Sequence, residues 1–324
     1  MAEAAFVTGG SGFIGGKLVE RLVAEGHPVR ALARSDSAAE RVAALGAEPV
    51  RGDLGDRASL AAGAAGTEVA FHLAAHLGEW GSWADFEQGN VEGTRNVLAA
   101  CADVGVRRFV HCGTEAALMA GKPLVHIDET APLRPDSRAP YPATKARAEQ
   151  LVREASREGF ETVALRPRFV WGKGDTTLLP EMVATIEAGK WAWVGGGRNV
   201  TDTTHVDNVV EGLVLAGEKG RAGEAYFVTD GESVVFREFV TAMLQTQGVE
   251  PPDRSLPAWT AAPMARICEA VWKVLPLRGD PPMTTFRSWL LTQECTIEIA
   301  KARSELGYAP IVSHKQGLAE LREA

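Results

Sequence analysis

An α/β chain, with a doubly wound parallel sheet and a smaller, mainly helical C-terminal lobe, is predicted by three observations. A glycine-rich turn, "TGGSGFIGG", joins an apolar run to a segment of helical period. Short β-branched or apolar runs then alternate with longer helical segments. After Arg166 this alternation stops.

Taken in order, "AAFVTG", "HPVRALAR", "AEPVRGD", "TEVAFHLAA", "VRRFVHCGT" and "ETVALRP" read as strands, each short, apolar and bounded by turn-forming residues. The stretches from Gly12 to Glu25, Ser37 to Leu45, Arg57 to Ala64, Phe86 to Asp103 and Ala143 to Glu158 supply the crossover helices between them. Such crossovers make neighbouring strands parallel and put the functional site at their carboxyl ends. Beyond Arg166, "TTLLPEMVATIEAGKWAWVGGG" and everything past Gly231 leave the pattern. Between them, "TTHVDNVVEGLVLAGEKG" and "EAYFVTD" read as a helix and strand returning to the first domain. The expected division is residues 1–166 plus about 198–230 for a nucleotide-binding domain, and about 167–197 plus 231–324 for a substrate-binding lobe.

The 324 residues are 45% apolar and 23% charged, values of an ordinary globular chain able to bury a sizeable core. A net charge of -8 without any basic run excludes a surface that tracks phosphates, so no nucleic-acid partner is expected. Cys101, Cys112, Cys268 and Cys295 lie far apart, which favours reduced thiols over a metal cage or a disulfide framework. The opening "MAEAAFVTGG" has neither a basic start nor an apolar signal core, and a cytoplasmic chain is expected. No uncharged apolar stretch approaches the roughly 18 residues of a membrane span. The amphipathic "AWTAAPMARICEAVWKVLPL" could touch a membrane surface, although packing on the same protein is favoured.

Within the glycine turn, Gly9, Gly12 and Gly15 stand three residues apart. The first permits a tight turn, the second lets backbone approach a pyrophosphate, and the third lets the helix pack closely. The helix N-terminus then favours the negative charge. Placed between a strand and a helix, the triplet predicts a Rossmann dinucleotide site; a ligand-free glycine turn is the weaker alternative. An NAD-binding chain usually carries an acid about 20 residues on, to hold the ribose. Ala33-Arg34-Ser35 stands there instead, and the Arg34 guanidinium suits a 2′-phosphate, so NADP(H) is favoured and NAD(H) is second. Asp36 is the counter-evidence. Asp53 and Leu54 follow the third strand, where they could meet the adenine; Asp53 could equally cap the next helix.

Tyr141 and Lys145 lie one helical turn apart, with Pro142 suited to a first helical position. Bringing a phenol from about 10 toward neutrality takes about 4 kcal/mol of selective phenolate stabilisation, for which a nearby ammonium is one source. The same spacing occurs in helices without chemistry; its position downstream of a dinucleotide loop favours proton transfer.

"TGGSGFIG", "GDL", "HLAA", "NVEGTRNVL", "YPATK", "RPRFVWGKGD" and "THVDNVVEG", in this order over most of the first 230 residues, resemble the extended short-chain dehydrogenase/reductases of the NAD(P)-dependent epimerase/dehydratase superfamily. The chain is most similar to their 3β-hydroxysteroid dehydrogenase-like and dihydroflavonol reductase-like branch, and "KARSELGYAP" is similar to that branch's tail. The resemblance implies Tyr141 as acid/base, Lys145 also on the nicotinamide ribose, and a Ser or Thr completing the set. Where relatives often carry paired serines, "HCGTEAAL" leaves Thr114 as the one hydroxyl, able to orient a carbonyl. Asn90 matches a structural or proton-relay asparagine, or is an ordinary helix cap. The matched motifs extend the cofactor contacts to Phe13, Ile14, Leu73, Ala74, Ala75, Pro167 and Val170. His72, His76, His111 and His205 lie near the implied site without metal-ligand spacing, and no metal is expected. A homodimer is what the resemblance suggests.

Six of the eight tryptophans lie from Trp171 onward, and Trp80 and Trp83 sit in a loop after the fourth strand. Trp80, Trp83 and Trp171 are the expected substrate contacts, and a bulky apolar carbonyl or alcohol the expected substrate; Trp272 and Trp289 read as core. An oxidoreductase interconverting a ketone and a secondary alcohol is the favoured function. A nucleotide-sugar epimerase or dehydratase is the chief alternative, and a non-catalytic NADP(H) sensor the next.

Overall fold

The computed structural model describes residues 3–275 and 277–323; Met1 and Ala2 of the opening segment, Pro276 of the amphipathic stretch, and Ala324 lie outside them. Strands of the first half are β1 (Ala5–Thr8), β2 (Val29–Ala33), β3 (Glu48–Arg51), β4 (Val69–His72), β5 (Arg108–Cys112), β6 (Leu124–Ile127) and β7 (Glu161–Pro167). Then come β8 (Val170–Trp171), β9 (Trp193–Val194), β10 (Val200–Thr201), β11 (Thr204–His205), β12 (Ala225–Val228), β13 (Val234–Val235), β14 (Ser255–Leu256) and β15 (Cys295–Ile297). The first helices are α1 (Phe13–Ala24), α2 (Asp36–Ala44), α3 (Arg57–Ala64), α4 (Trp83–Phe86), α5 (Gly93–Asp103) and α6 (Pro140–Glu154). They are followed by α7 (Leu178–Glu187), α8 (Val206–Lys219), α9 (Phe236–Thr246), α10 (Ala261–Val274), α11 (Thr285–Thr292) and α12 (His314–Arg322).

Seven parallel strands in the order β12-β7-β5-β4-β1-β2-β3 form the main sheet. The order reverses at β1, so β1 and β4 diverge into opposite halves and leave a crevice at their carboxyl ends. Every residue of β1 and β4 is buried, as strands covered on both faces require. Helix α1 turns Gly15, Leu18, Val19 and Leu22 inward at the spacing of one helical face, and with α2 and α8 it covers one side of the sheet. Leu60, Val97, Leu98 and Val152 of α3, α5 and α6 cover the other.

Three boundaries differ from the sequence reading. Helix α6 begins at Pro140, which takes the first helical position, so Tyr141 lies inside the first turn and not at its mouth. The helix expected from Phe86 begins at Trp83 and passes through a π-helical turn, Glu87–Glu92, before α5. Strand β6 lies within the span assigned to the first domain, yet it pairs with β15 in a second sheet of order β13-β10-β15-β6. A short edge strand whose partner lies far away in sequence leaves no local period to read.

Asp230 ties together β8, β11, α8 and α12. Its carboxylate accepts from Trp171 Nε1 (2.8 Å), Thr203 Oγ1 (2.7 Å), the His205 backbone N–H (2.6 Å) and Asn208 Nδ2 (2.7 Å), and His314 Nε2 lies 3.2 Å away. Burial works to raise this carboxyl, but the bonds from His314, His205, Thr203 and Trp171 outweigh it and hold the group below its usual range. Asn208 in turn accepts from the N–H groups of Ile311 and Val312.

On the sheet's far side, Glu149 of α6 and Arg166 of β7 form a fully buried bidentate pair, with Arg166 Nε 3.1 and 3.0 Å from the two carboxylate oxygens. The guanidinium also lies 5.0 Å over the Phe227 ring. Removing one partner strands the other charge in the core, which costs about 3–5 kcal/mol, whereas replacing both with apolar groups is close to neutral. Arg166→Met alone is expected to lower the urea midpoint sharply, and adding Glu149→Leu to recover much of the loss; equal midpoints for the single variant and the parent would exclude a structural role for the pair.

Candidate active site

The turn between β1 and α1 has no space for side chains where it is tightest. A Cβ on Gly15 would stand 2.1 Å from the Gly9 carbonyl oxygen, and one on Gly9, whose φ is +78°, would stand 2.7 Å from the Ala74 nitrogen. Leu73 N–H donates to the Thr8 carbonyl at 3.1 Å and Ala74 N–H to Thr8 Oγ1 at 3.3 Å, so residues 73–75 run alongside the turn. Gly12 caps α1 with backbone alone, and no acid occupies the first turn, which contains Phe13 and Ile14. The positive end of the helix dipole is left without a protein anion.

Arg34 is exposed just past β2. Asp36, the competing acid, has its carboxylate 3.4 Å from Arg51 Nη2. Ser35 caps α2. Asp53 does not cap the following helix: it accepts from Gly55 N–H at 2.7 Å, and Asp56 is the cap of α3. Leu54 packs beside Gly93 of α5. Pro167 ends β7, and Val170 pairs with Thr204. Between them, Phe169 has a φ of 40°, a strained conformation for a bulky residue.

At the carboxyl ends of β5 and β7, Thr114, Tyr141 and Lys145 come together. Lys145 is buried, and its Nζ donates to the Cys112 carbonyl at 2.9 Å and lies 3.5 Å from His111 Nε2. Burial pulls its ammonium pKa down, while Cys112 and Glu149 push it up. Tyr141 is half-buried, with its ring 5.7 Å from that of Phe286 in α11. Burial raises its phenol, Glu115 and Cys112 add to the rise, and the Thr114 hydroxyl opposes it. The phenol is therefore held in its protonated form at neutral pH.

Thr114 is already engaged. Its hydroxyl donates to Glu115 Oε2 at 2.8 Å and accepts from Ala116 N–H at 3.2 Å. Glu115 Oε1 accepts from Arg168 Nη1 at 2.5 Å, and Arg168 Nε donates to Thr201 Oγ1 at 2.9 Å. Sequence reading missed this Thr114–Glu115–Arg168 chain; "GTEAA" and "RPR" contain it, but only the sheet brings the two motifs together.

Asn90 lies within the π-helical turn and is no cap. Its amide accepts from His76 N–H (2.7 Å) and donates to the His76 carbonyl (3.2 Å) and Thr144 Oγ1 (3.0 Å), clamping the loop after β4 to α6. His72 sits between Thr8 Oγ1 (2.7 Å) and Thr94 Oγ1 (3.0 Å), and burial, aided by Lys145, pushes its pKa down to about 3. His111 is neutral for the same reasons. His205 is buried between Asp207 and Glu320, at 3.7 and 3.8 Å.

A cavity of about 410 Å³ opens among α7, β9, α9 and α11, walled by Phe169, Met182, Trp191, Trp193, Phe236 and Leu291 among others. Arg168 and Leu290 also line it. Leu290 belongs to the apolar cluster on which Tyr141 packs, and Arg168 reaches Thr114 through Glu115. Trp171 is not a lining residue: it is fully buried with its indole nitrogen on Asp230. Trp80 and Trp83 also fall outside the wall, although their neighbour Glu79 is part of it.

The chain is 47% identical over 319 residues to the 4-hydroxy-2-methyl-3-oxo-4-farnesyl-3,4-dihydroquinoline-1-oxide ketoreductase of Stigmatella aurantiaca, covering 98% of this chain and 96% of that one. It is 40% identical to the 2-alkyl-3-oxoalkanoate reductase of Stenotrophomonas maltophilia, over 98% and 97% of the two chains. Among solved structures it is similar to the dTDP-glucose 4,6-dehydratase DesIV of Streptomyces venezuelae with NAD bound, at a TM-score of 0.77, 26% identity and 98% and 95% coverage. The pattern of the 3-beta hydroxysteroid dehydrogenase/isomerase family matches residues 6–258. With its glycine turn, its Tyr141–Lys145 helix and this match along most of its length, the chain belongs to the 3-beta hydroxysteroid dehydrogenase/isomerase family.

Proposed function

We propose that the chain is an NADP(H)-dependent ketoreductase acting on a ketone that carries a bulky hydrocarbon group. The observation that carries this reading is the apolar cavity whose wall shares Leu290 with the bed of Tyr141 and Arg168 with the chain leading to Thr114. Two relatives are named for 3-oxo substrates with a farnesyl or an alkyl substituent, which suits the same cavity. Of the four cations in this wall, Arg287 is paired with Glu79 and Glu181 and Arg168 with Glu115, Lys190 and Arg254 also line it, and the rest of the lining is mainly apolar, which suits a hydrocarbon group better than a sugar diphosphate.

The turn at Gly9 and Gly15, closed to any Cβ, and the uncapped α1 N-terminus fit a dinucleotide pyrophosphate. The Arg34 guanidinium favours a 2′-phosphate, since Asp36 is drawn to Arg51. A reduced nicotinamide dinucleotide, when bound, supplies the hydride. Tyr141 gives its proton to the ketone oxygen, and the Lys145 ammonium stabilises the phenolate that remains. Thr114 orients that oxygen once its hydroxyl turns from Glu115, whose charge Arg168 continues to hold.

Three measurements test the reading. NADPH consumption against a 3-ketosteroid, an aromatic diketone and a long-chain 3-keto ester is expected with at least one of them, and Tyr141→Phe should lower it about 10²-fold or more with cofactor binding retained. Turnover near the parent's in that variant would remove Tyr141 from the mechanism. Arg34→Ser should raise KM for NADPH roughly tenfold and leave NADH unaffected. After burial, the Glu115 charge is the largest influence raising the Tyr141 phenol, so Glu115→Gln should lower that pKa. Reduction needs the protonated phenol and fails as pH rises through its pKa; the alkaline loss of rate should therefore begin at lower pH in the variant, and an unmoved profile would place Glu115 outside the proton machinery.

A further inference from the structure

His111, near the carboxyl end of β5, is buried, and only one of its two ring nitrogens has a hydrogen-bond partner. Nε2 lies 3.5 Å from Lys145 Nζ, a long hydrogen bond, while Nδ1 has no partner among the described residues. A buried nitrogen left in this way costs stability, and a phenyl ring would fill the same space without it. What a phenyl ring would not supply is Nε2.

The neighbours fix where the ring proton sits. As an ammonium, Lys145 Nζ has only protons to offer, so Nε2 presents its lone pair and Nδ1 carries the hydrogen. A proton on Nε2 would face the ammonium and leave both nitrogens mismatched. The second histidine beneath the lysine offers no other arrangement. Thr8 Oγ1, which already accepts from Ala74 N–H, gives its proton to His72 Nδ1, and His72 Nε2–H then donates to Thr94 Oγ1. Both nitrogens of His72 are thereby used, and its ring only packs against that of His111, with centroids 5.4 Å apart. Burial, aided by Lys145 and His72, holds His111 well below the ordinary imidazole range, so it keeps its neutral form through neutral pH. On the lysine's side, the Cys112 carbonyl takes a second proton at 2.9 Å. Two consecutive residues of β5 thus engage two of the three ammonium protons and leave one.

We propose that His111 is a positioning residue for Lys145: its neutral ring, protonated on Nδ1, accepts from the ammonium through Nε2 and, with the Cys112 carbonyl, holds the lysine so that a single proton remains for the crevice. The effect on turnover rests on the ketoreductase reading; the tautomer and the hydrogen bond do not, and are measured on the full chain without cofactor or substrate. Long-range nitrogen–proton NMR correlation on nitrogen-15 histidine should show His111, identified by its loss in His111→Gln, as the Nδ1–H tautomer and His72 as the Nε2–H tautomer, both unchanged from about pH 6 to 9. A His111 that carries its proton on Nε2, or is charged in that range, would overturn the proposal. Lys145, followed through carbon-13 at Cε, should titrate about one pH unit lower in His111→Phe, which removes the acceptor, and near the parent in His111→Gln, whose amide oxygen replaces it. Identical lysine titration in His111→Phe and the parent would also overturn it. In the reductase assay, kcat is expected to fall about fivefold in His111→Phe with KM for the ketone unchanged, and to recover in His111→Gln; equal losses in both variants would make His111 a packing residue only. Absence of turnover in the parent would count against the ketoreductase reading alone, because the tautomer and the lysine titration decide this one.

Discussion

The buried pair of Glu149 and Arg166 fixes how α6 lies against β7. Helix α6 carries Tyr141 and Lys145, and β7 leads directly into Arg168 and Phe169 of the cavity wall. One bidentate contact therefore sets the helix of Tyr141 and Lys145 against the strand that leads into the cavity wall. Its rigidity follows from burial, because neither charge has water to turn to when the other moves. Lys145, one turn before Glu149, inherits that placement and spends its own donors on the Cys112 carbonyl and His111.

What was legible in the sequence is what local period and steric need write into it. Gly15 is required by contact with Gly9 in its own turn and Gly9 by its positive φ, so the spacing of the triplet was legible; the approach of Leu73 and Ala74 to Gly9 was not. The strands and crossover helices of the first half follow from alternating apolar runs whose partners come next in order. Long-range partners left no such mark. Strand β6 joins β15, more than 160 residues away, and Glu115 finds Arg168 only through the neighbouring strands β5 and β7. Periodicity could not separate Trp191 and Trp193 in the cavity wall from Trp171, which Asp230 holds in the core.

Around Lys145 the protein has assembled groups that burial keeps neutral. His72 and His111 are both held uncharged beneath it, and the Tyr141 phenol stays protonated. The Lys145 ammonium and the Glu115–Arg168 ion pair stand among these neutral groups, and the pair is self-compensating. A low-polarity surrounding makes such charges act on one another more strongly than they would in water. Thr114 is held by the carboxylate of that pair.

Asp230 and Asn208 bear on the order in which the protein is made. Their side chains sit at the junction of β11, α8 and the end of β12, but several of their partners, Ile311, Val312 and His314, arrive some 80 to 105 residues later. As the chain leaves the ribosome, the seven-stranded sheet has all its strands by Val228 and Asp230 already has Trp171, Thr203, His205 and Asn208, while the Asn208 amide oxygen still lacks its donors and Asp230 its contact with His314. The half that carries the sheet can then settle first, and the contacts around Asn208 are completed only by the tail. Synthesis itself thus separates the two halves in time, and the last helix acts as the fastener of a structure whose foundation is already laid.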